Sequence, residues 1–260
     1  MSLIKKIIIG VLIYIVFLVA LFPASVAVRL APLPANVGIS GVSGSIWAGS
    51  IETLNIQQRQ LEQVRWELSP WSLFIGKVKL DFQVGSRATP VSAKGLITWS
   101  MGGISAQGLR FEAPDSFLIG NTKLPFRTEI NGEVSLLVET LEQGKPWCEQ
   151  LSGKLFLNQT NVKNQFGDYP LGNIELGLSC VEGKAQLATD ESKNQLGIIG
   201  TLQLDEGNMV KVAAKIKETN EQPEDMRKSL NILGKRGDDG YFPIVYQGRI
   251  LGFNLASNVT

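Results

Sequence analysis

Two cysteines and a complete lack of histidine limit the chemistry available to this chain. Histidine is the commonest general base near neutral pH and the commonest metal ligand in proteins. A Ser-His-Asp triad, a Cys-His dyad and an HExxH zinc site are therefore excluded. Asp238 and Asp239 are adjacent acids between glycines, a pattern typical of a loop and not of an acid–base pair. The sequence predicts a non-enzymatic protein with no catalytic, cofactor-binding or metal-binding residues.

Cys148 and Cys180 are the remaining candidates for chemistry, and their state depends on the compartment. They do not form a Cys-x-x-Cys motif, so a redox-active pair is not indicated. In an oxidising compartment they are predicted to form one disulfide. That bond would close a loop of about 33 residues and contribute about 3–4 kcal/mol to stability. The alternative is a pair of free, buried thiols.

A long apolar segment decides which compartment the cysteines occupy. The residues from Ile7 to Val28 carry no charge, and Lys5 and Lys6 lie just before them. As a helix this segment would be about 30 Å long, which matches the hydrocarbon core of a bilayer. The positive-inside rule predicts that residues 1–6 stay in the cytoplasm and that the rest of the chain is exported. A cysteine pair beyond the membrane would be oxidised.

A cleavable signal peptide is the alternative interpretation of the same segment. It has a basic start, an apolar middle and the small residues Ser25 and Ala27, after which cleavage would occur. The apolar run is longer than the core of a typical signal peptide, which favours a retained anchor. Pro23 is compatible with the anchor because it falls in the last turns. Both interpretations predict export and differ only in whether the domain stays attached.

The exported part shows the two-residue period of half-buried antiparallel strands. The net charge of the whole chain is +1, which gives no bulk electrostatic attraction to nucleic acid. Apolar and polar residues alternate in many short segments. Examples are Val64-Trp66-Leu68, Val78-Leu80-Phe82-Val84, Val134-Leu136-Val138, Ile174-Leu176-Leu178-Cys180 and Val210-Val212-Ala214-Ile216. Because glycine-containing turns separate these segments, consecutive strands are predicted to pair as hairpins.

The predicted fold is mainly β, with one N-terminal transmembrane helix and a large, meandering antiparallel sheet that curves like a half-barrel. One short C-terminal helix is predicted between Pro223 and Gly234, since proline and acidic residues begin it and glycine ends it. Pro32 and Pro34 favour an extended stalk. The predicted divisions are a basic end (1–6), an anchor (7–28), a stalk (29–38) and an exported β-domain (39–260).

Aromatic and large aliphatic residues on the first strands have two interpretations. Trp66, Trp99, Leu80 and Phe82 lie on apolar strand faces, and Trp47 lies in a glycine-rich stretch before them. The simpler interpretation is packing in a hydrophobic core. The alternative is an apolar groove that holds a lipid tail or a partner strand, as an open sheet with one wide apolar face would provide.

An ordered set of segments resembles one bacterial protein family. The segments are GVSGSIWAGSI (41–51), VRWELSPWSLFIGKVKLDF (64–82), WCEQLSGKLFLN (147–158), LGLSC (176–180), GTLQLDEGNMVKVAAKIK (200–217) and DGYFPIVYQGRI (239–250). Together with the short basic start and single anchor, they resemble the N component of the type II secretion system, also called general secretion pathway protein N. The likeness covers essentially the whole chain.

The resemblance implies a single-pass protein of the Gram-negative inner membrane, with a cytoplasmic N-terminus and a periplasmic β-domain. It implies a non-enzymatic accessory or assembly role, without a cofactor, in protein secretion. The implied partners are the inner-membrane platform proteins and the outer-membrane secretin. The strands that begin with glycine are also similar to the repeats of AsmA-like periplasmic proteins. That weaker similarity implies an alternative function, a groove that binds or transfers lipid.

Overall fold

One antiparallel sheet makes up most of the molecule. The computed structural model describes residues 3–34, 36–56, 59–86, 88–120, 127–165, 167–222 and 224–249. Strands account for 58% of the chain, and helices are few. This confirms the predicted class, a mainly β fold with an apolar N-terminal helix.

Two helices precede the sheet. Helix α1 spans Leu3–Ala20, and α2 spans Ala24–Leu30. Helix α1 is about 27 Å long, all its residues are exposed, and it is long and apolar enough to cross a membrane. The break between the helices falls at Pro23, which adopts an extended conformation with φ −68° and ψ 136°. Proline has no backbone N–H to continue the hydrogen bonds of α1, so the apolar segment forms two helices and not one.

The strands follow one another across the sheet in chain order, and every pair is antiparallel. The hydrogen-bonded order is β1, β3, β4 and so on to β14, while the short β2 pairs with β3 beside β1. The strands are β1 Val37–Ser40, β2 Ser43–Gly44, β3 Ala48–Ile56, β4 Arg59–Leu68, β5 Lys77–Val84, β6 Ser92–Ser100, β7 Gly103–Pro114, β8 Glu129–Gln143, β9 Cys148–Asn164, β10 Gly167–Val181, β11 Lys184–Thr189, β12 Ile198–Asp205, β13 Met209–Ile216 and β14 Phe242–Arg249.

The sheet is open, with β1 and β14 as its first and last strands among the described residues. Register shifts interrupt the pairing of β6 with β7, of β8 with β9 and of β9 with β10. Such bulges bend strands and increase their twist. The predicted meandering, unclosed antiparallel sheet is thereby confirmed.

Short helices lie in the connections between strands. Helix α3 spans Pro70–Leu73, α4 spans Asp115–Ile119, and α5 spans Glu224–Ser229. Helix α5 continues into a 3₁₀ turn, Leu230–Leu233, and corresponds to the predicted C-terminal helix. Pro223, the predicted start, lies outside the described residues. Helices α3 and α4 were not predicted from the sequence, because helices this short show no helical periodicity.

The best-buried apolar cluster lies where α5 and its 3₁₀ turn cover one end of the last strands. Ile216, Leu230 and Phe242 are each almost fully buried, and Ile198, Met226 and Ile244 pack against them. The cluster joins β12, β13, β14 and the helical segment. It is therefore a small core at one corner of the sheet, where a second layer is present.

Candidate functional site

The strand register places large apolar side chains in a continuous line on one face of the sheet. Trp66 lies opposite Phe82, and Leu68 lies opposite Leu80. Leu80 in turn lies opposite Ile97 of the next strand. Side chains of directly paired residues project from the same face. Trp66, Leu80 and Phe82, predicted to share a core or groove, are therefore neighbours, and all are half-buried.

The same apolar face continues across the remaining strands. Successive register pairs along it include Leu136–Leu155, Leu155–Leu176, Leu178–Leu187, Leu187–Leu202 and Leu202–Val212. The large side chains along it are half-buried, and Val134, Val138 and Ile174 on the same face are buried. We call this surface, from Trp66 on β4 to Val212 on β13, the apolar face.

Trp47 lies at the junction between the sheet and the N-terminal helices. Its indole Nε1 donates a hydrogen bond to the backbone oxygen of Val19 in α1, at 3.0 Å. The backbone N–H of Ile46 donates to the oxygen of Phe22, at 3.1 Å. Trp66 completes the junction by donating from its Nε1 to the oxygen of Ile46, at 3.1 Å. These contacts fix the start of β3 to the end of α1.

Glycine provides the room that this junction needs. A Cβ atom placed on Gly49 would come within 2.4 Å of Cζ2 of Trp66. The ring of Trp66 therefore lies directly over the backbone of β3. The hydrogen bonds of Trp47 and Trp66 were not predicted from the sequence. An indole N–H has no preferred partner that can be recognised from a sequence.

Trp99 lies apart from the junction, near the end of β6. It is 64% exposed. It shares the apolar face with Val78 and Ile104, which lie opposite it on the neighbouring strands. The five residues predicted for a core or groove therefore occupy three places. Trp66, Leu80 and Phe82 lie on the sheet, Trp47 lies at the junction, and Trp99 lies at the edge of the face.

The predicted disulfide between Cys148 and Cys180 is present and joins β9 to β10. Cys148 is buried, and Cys180 lies on the apolar face opposite Ala185. The backbone N–H groups of Trp147 and Cys148 both donate to the oxygen of Gly183, at 3.0 and 3.1 Å. Export to an oxidising compartment is the condition under which such a bond persists.

A group of charged residues stabilises the strands next to the disulfide. Asp205 at the end of β12 pairs with Lys184 of β11, at 2.6 Å, and with Lys211 of β13. These two ammonium groups lower the pKa of Asp205 below its usual value. Hydrogen bonding to Asp205 raises the pKa of Lys184. The arrangement ties three adjacent strands together and shows no feature of an acid–base site.

A second group of charged residues lies near the start of β14. Lys215 pairs with Asp239 at 2.8 Å, and Lys217 pairs with Glu191. Tyr241 donates to Glu191, and Lys215 lies 4.3 Å from the centre of the Tyr241 ring. Asp239 is thus engaged in an ion pair. Within the described ranges, no three His, Cys, Asp or Glu residues are grouped so that they would hold a metal ion.

Comparisons with known proteins give a consistent result. Residues 35–245 match the family model described as Type II secretion system (T2SS), protein N. A type II secretion system protein N from Aeromonas hydrophila is 31% identical over 91% of this chain and 94% of its own length. Proteins of the same name from Vibrio cholerae and Pectobacterium carotovorum are 25% and 23% identical. They cover 88% and 93% of this chain, and 91% and 95% of their own lengths.

No solved structure matches the chain significantly. The family assignment therefore depends on sequence, and it agrees with the ordered set of segments identified above. The family model covers the region from the start of the sheet into its last strand. The chain belongs to the type II secretion system protein N family.

Proposed function

We propose that this protein is a non-enzymatic accessory component of type II secretion. In this proposal α1 spans the inner membrane, with the N-terminus in the cytoplasm and residues 39–260 as a periplasmic domain. The family match carries the assignment to type II secretion. Two features support the orientation: Lys5 and Lys6 lie at the first end of α1, and the disulfide lies beyond its other end. Residues 29–38 would connect the membrane to the sheet.

The proposed activity is to present the sheet to other secretion components, the inner-membrane platform and the outer-membrane secretin. An open sheet has terminal strands that are able to pair with a strand of another protein. Among the described residues, β1 pairs only with β3, and β14 pairs only with β13. On β14, Val245 is 82% exposed. These two strands are therefore the proposed contact regions.

Cross-linking in intact cell envelopes tests the secretion role. A photoreactive amino acid would replace Ser40 on β1 or Val245 on β14, with Gln203 on the interior strand β12 as the matched control. We expect secretion components to be captured from the terminal strands and not from position 203. Recovery of no secretion component from any position, with normal secretion in a strain lacking the protein, would contradict the proposal.

The apolar face supports a second candidate function, lipid binding or transfer in a groove. This function needs an extended apolar surface, and the apolar face provides one whose large side chains are half-buried. Phe82 and Leu80 lie on it, whereas Lys79 and Asp81 alternate with them and project from the opposite face.

Mass spectrometry of the purified protein tests the second candidate. We expect phospholipid or lipopolysaccharide to accompany the wild-type chain through purification and to be reduced several-fold by Leu80→Glu or Phe82→Glu. Lys79→Glu is the matched control, because it changes charge on the same strand but on the other face. Equal amounts of lipid with all three variants would contradict a binding role for the apolar face.

A further inference from the structure

One end of the sheet is fixed beside the end of α1. Strand β3 begins there, directly after Trp47, whose indole is bonded to Val19 of α1. Because the sheet is an antiparallel meander, every second connection returns to this end. We call it the anchor end. The connections at the anchor end are those between β4 and β5, β6 and β7, β8 and β9, β10 and β11, and β12 and β13.

The two connections closest to α1 expose large apolar residues. Between β4 and β5, helix α3 and the residues after it present Trp71, Phe74 and Ile75, which are 80%, 83% and 68% exposed. Between β6 and β7, Trp99 and Met101 lie at the tip, and Met101 is fully exposed. We call these five residues the apolar rim. So large an exposed apolar group marks a surface that contacts lipid or protein.

The apolar rim lies close to the membrane-spanning helix. Strand β4 pairs with β3, β5 with β4, and β6 with β5. Neighbouring strands are about 4.8 Å apart, so the α3 connection lies within about 10 Å of the start of β3, and the β6–β7 tip lies within about 20 Å. The apolar rim is therefore at the level where α1 ends and beside it.

Local hydrogen bonds hold the α3 part of the apolar rim in an exposed position. The Ser72 hydroxyl, which is buried, donates to the oxygen of Ser69 at 2.7 Å and accepts the N–H of Lys79 at 3.3 Å. These bonds fix α3 against the start of β5. The rings of Trp71 and Phe74 lie 5.8 Å apart on its outer side. The apolar residues consequently project outward from an ordered connection.

The charges around the apolar rim favour a lipid surface. Residues 69–80 contain Lys77 and Lys79 and no acidic residue. Lysines next to exposed aromatic residues are typical of segments that enter the membrane interface, where anionic headgroups attract the ammonium groups. Tryptophan is enriched at this interface because its ring is apolar and its N–H is polar.

The connections farther from α1 at the same end differ in character. The turn between β10 and β11 carries Glu182, and the turn between β12 and β13 carries Glu206 and Asn208. Glu182 and Glu206 are both exposed. The connection between β8 and β9 carries Trp147, but this residue is half-buried and donates from its Nε1 to the oxygen of Asp205 at 3.1 Å. The most exposed large apolar residues of this end therefore lie in the connections nearest the membrane helix. A surface that binds a soluble protein would not need to have its exposed apolar residues close to α1.

We infer that the apolar rim inserts into the interface of the bilayer leaflet on the sheet side of α1, as a second membrane contact. The inference rests on the membrane insertion of α1, part of the proposed function, but not on the secretion role. Two contacts, α1 and the apolar rim, would fix the orientation of the sheet to the membrane. A single helix alone would leave the sheet free to tilt and rotate about the helix end.

Photo-cross-linking to lipid in the full chain tests this inference. The protein would be reconstituted into vesicles of phosphatidylethanolamine and phosphatidylglycerol, with benzoylphenylalanine at position 74 or 101. Glu206, at the tip of a distant connection of the same end, is the matched control position. Ile13 in α1 and Phe82 on the apolar face are the two reference positions.

We expect lipid adducts at positions 13, 74 and 101, and several-fold less adduct at position 206. If position 13 gives lipid adduct but positions 74 and 101 give no more than the control position 206, the membrane contact of the apolar rim is overturned while the anchor stays intact. Adduct at 13 and 82 but not at 74 would favour the lipid groove instead and overturn the inference. Adduct at none of these positions would overturn both the anchor and the apolar rim.

A charge variant gives an independent readout. Trp71→Asp with Phe74→Asp should abolish the adduct at position 101 or reduce it several-fold, because two carboxylates would be repelled by the anionic interface. Glu206→Asp is the control and should change nothing. If the double variant retains its disulfide and the full adduct at position 101, the α3 connection is not part of a membrane contact.

Discussion

Asp205 concentrates the electrostatic stabilisation of the strands beside the disulfide. Its side chain is only 12% exposed and is paired with ammonium groups from the strands on both sides. A carboxylate stabilised in this way has a lowered pKa in the folded protein, so the folded state favours its charged form. Its contribution is present above the usual value of 3.8 and is lost as the pH falls below it.

Asp205→Asn should lower the stability of the sheet at neutral pH, since Lys184 and Lys211 would lose their common partner. In urea titrations of the full chain in detergent, the midpoint of the variant should lie below that of the wild type at pH 7. The difference should shrink as the pH falls below 3.8. Asp238→Asn, an exposed change in the turn before β14, is the control. A difference that is independent of pH would contradict this role.

The disulfide should make a larger contribution that does not depend on pH. Replacing Cys148 and Cys180 by serine removes a cross-link over a sequence separation of 32. The chain-entropy relation then gives a loss of about 3–4 kcal/mol in unfolding free energy. Denaturant unfolding with and without dithiothreitol measures it, and the reductant should destabilise the wild type but not the double variant. Equal sensitivity of both proteins would contradict a structural role for the bond.

Individual residues were only partly predictable from the sequence. The disulfide was predicted because the exported part of the chain would enter an oxidising compartment. The shared face of Trp66, Leu80 and Phe82 was predicted from the two-residue alternation of apolar and polar residues. The hydrogen bond of Trp47 to Val19 did not, because it joins residues whose separation in space depends on how α1 meets the sheet. The exposed state of Trp99 was also not predictable, since alternation assigns a residue to a face but does not show whether the face is covered.

Among the elements, the helical segment before β14 has a defined packing role. Leu230 in its 3₁₀ turn packs against Ile216 of β13 and Phe242 of β14. The segment therefore holds the last hairpin in position. Helix α4 also packs on the sheet, since the ring of its Phe117 lies 6.4 Å from that of Phe111 on β7.

Leu230→Ala should destabilise the last hairpin by about 2–4 kcal/mol, because it leaves a cavity next to Ile216 and Phe242. Leu118→Ala in α4 is the matched control: Leu118 is 43% exposed and should change stability by about 0.5 kcal/mol or less. Amide hydrogen exchange would locate the effect, with faster exchange expected in β13 and β14. Uniform loss of protection across the sheet would show instead that the cluster stabilises the whole molecule.

The turns between strands offer a second comparison at this scale. Glu182 and Gly183 both have positive φ values, 52° and 79°, in the two-residue turn between β10 and β11. A Cβ on Gly183 would also come within 2.1 Å of the oxygen of Lys145, whereas a Cβ on Gly207, φ 66°, would meet nothing within 4 Å. Gly207→Ala should therefore cost about 1–2 kcal/mol from backbone strain alone.

Gly183→Ala should cost clearly more than Gly207→Ala, since the backbone beside the disulfide has to move as well. Chemical denaturation of the two variants under the same conditions provides the measurement. Equal losses of unfolding free energy would show that the contact with Lys145 relaxes without cost.

The pattern of strands and turns was well predicted, because alternation and glycine are local signals. The small helices were not, since nothing in their periodicity distinguishes four or five residues from a loop.

At the scale of the whole molecule, the proposed orientation has a chemical signature. If Lys5 and Lys6 retain the N-terminus in the cytoplasm, the two cysteines reach the periplasm and become oxidised. Lys5→Glu with Lys6→Glu should leave a fraction of molecules inverted, with reduced thiols. Maleimide labelling of whole-cell protein under denaturing, non-reducing conditions should detect free cysteine in this variant and almost none in the wild type. A wild-type protein that is fully labelled would contradict the orientation.

The sequence predicted the fold class, a mainly β protein with a meandering antiparallel sheet. It did not show how far the apolar side of the sheet is covered. Periodicity indicated many antiparallel strands and one apolar side. Whether a second layer covers that side depends on contacts between distant segments; among the described residues, the segment around Leu230 and Phe117 of α4 supply such contacts at separate places. The division of the apolar N-terminal segment falls at Pro23, which cannot continue the hydrogen bonds of α1, and the adjacent Phe22 and Val19 accept hydrogen bonds from Ile46 and Trp47.

If the sheet is exported as proposed, the chain-order arrangement of the strands has a consequence for how it folds. Each strand after β3 pairs with the strand that has just preceded it, so its partner would already be outside when it emerges from the translocation channel. Short loop closures are fast and carry little entropic cost. The sheet is thus suited to grow vectorially, one hairpin at a time from the membrane helix outward. The disulfide would close only when β10 is complete, after the first nine strands have been laid down.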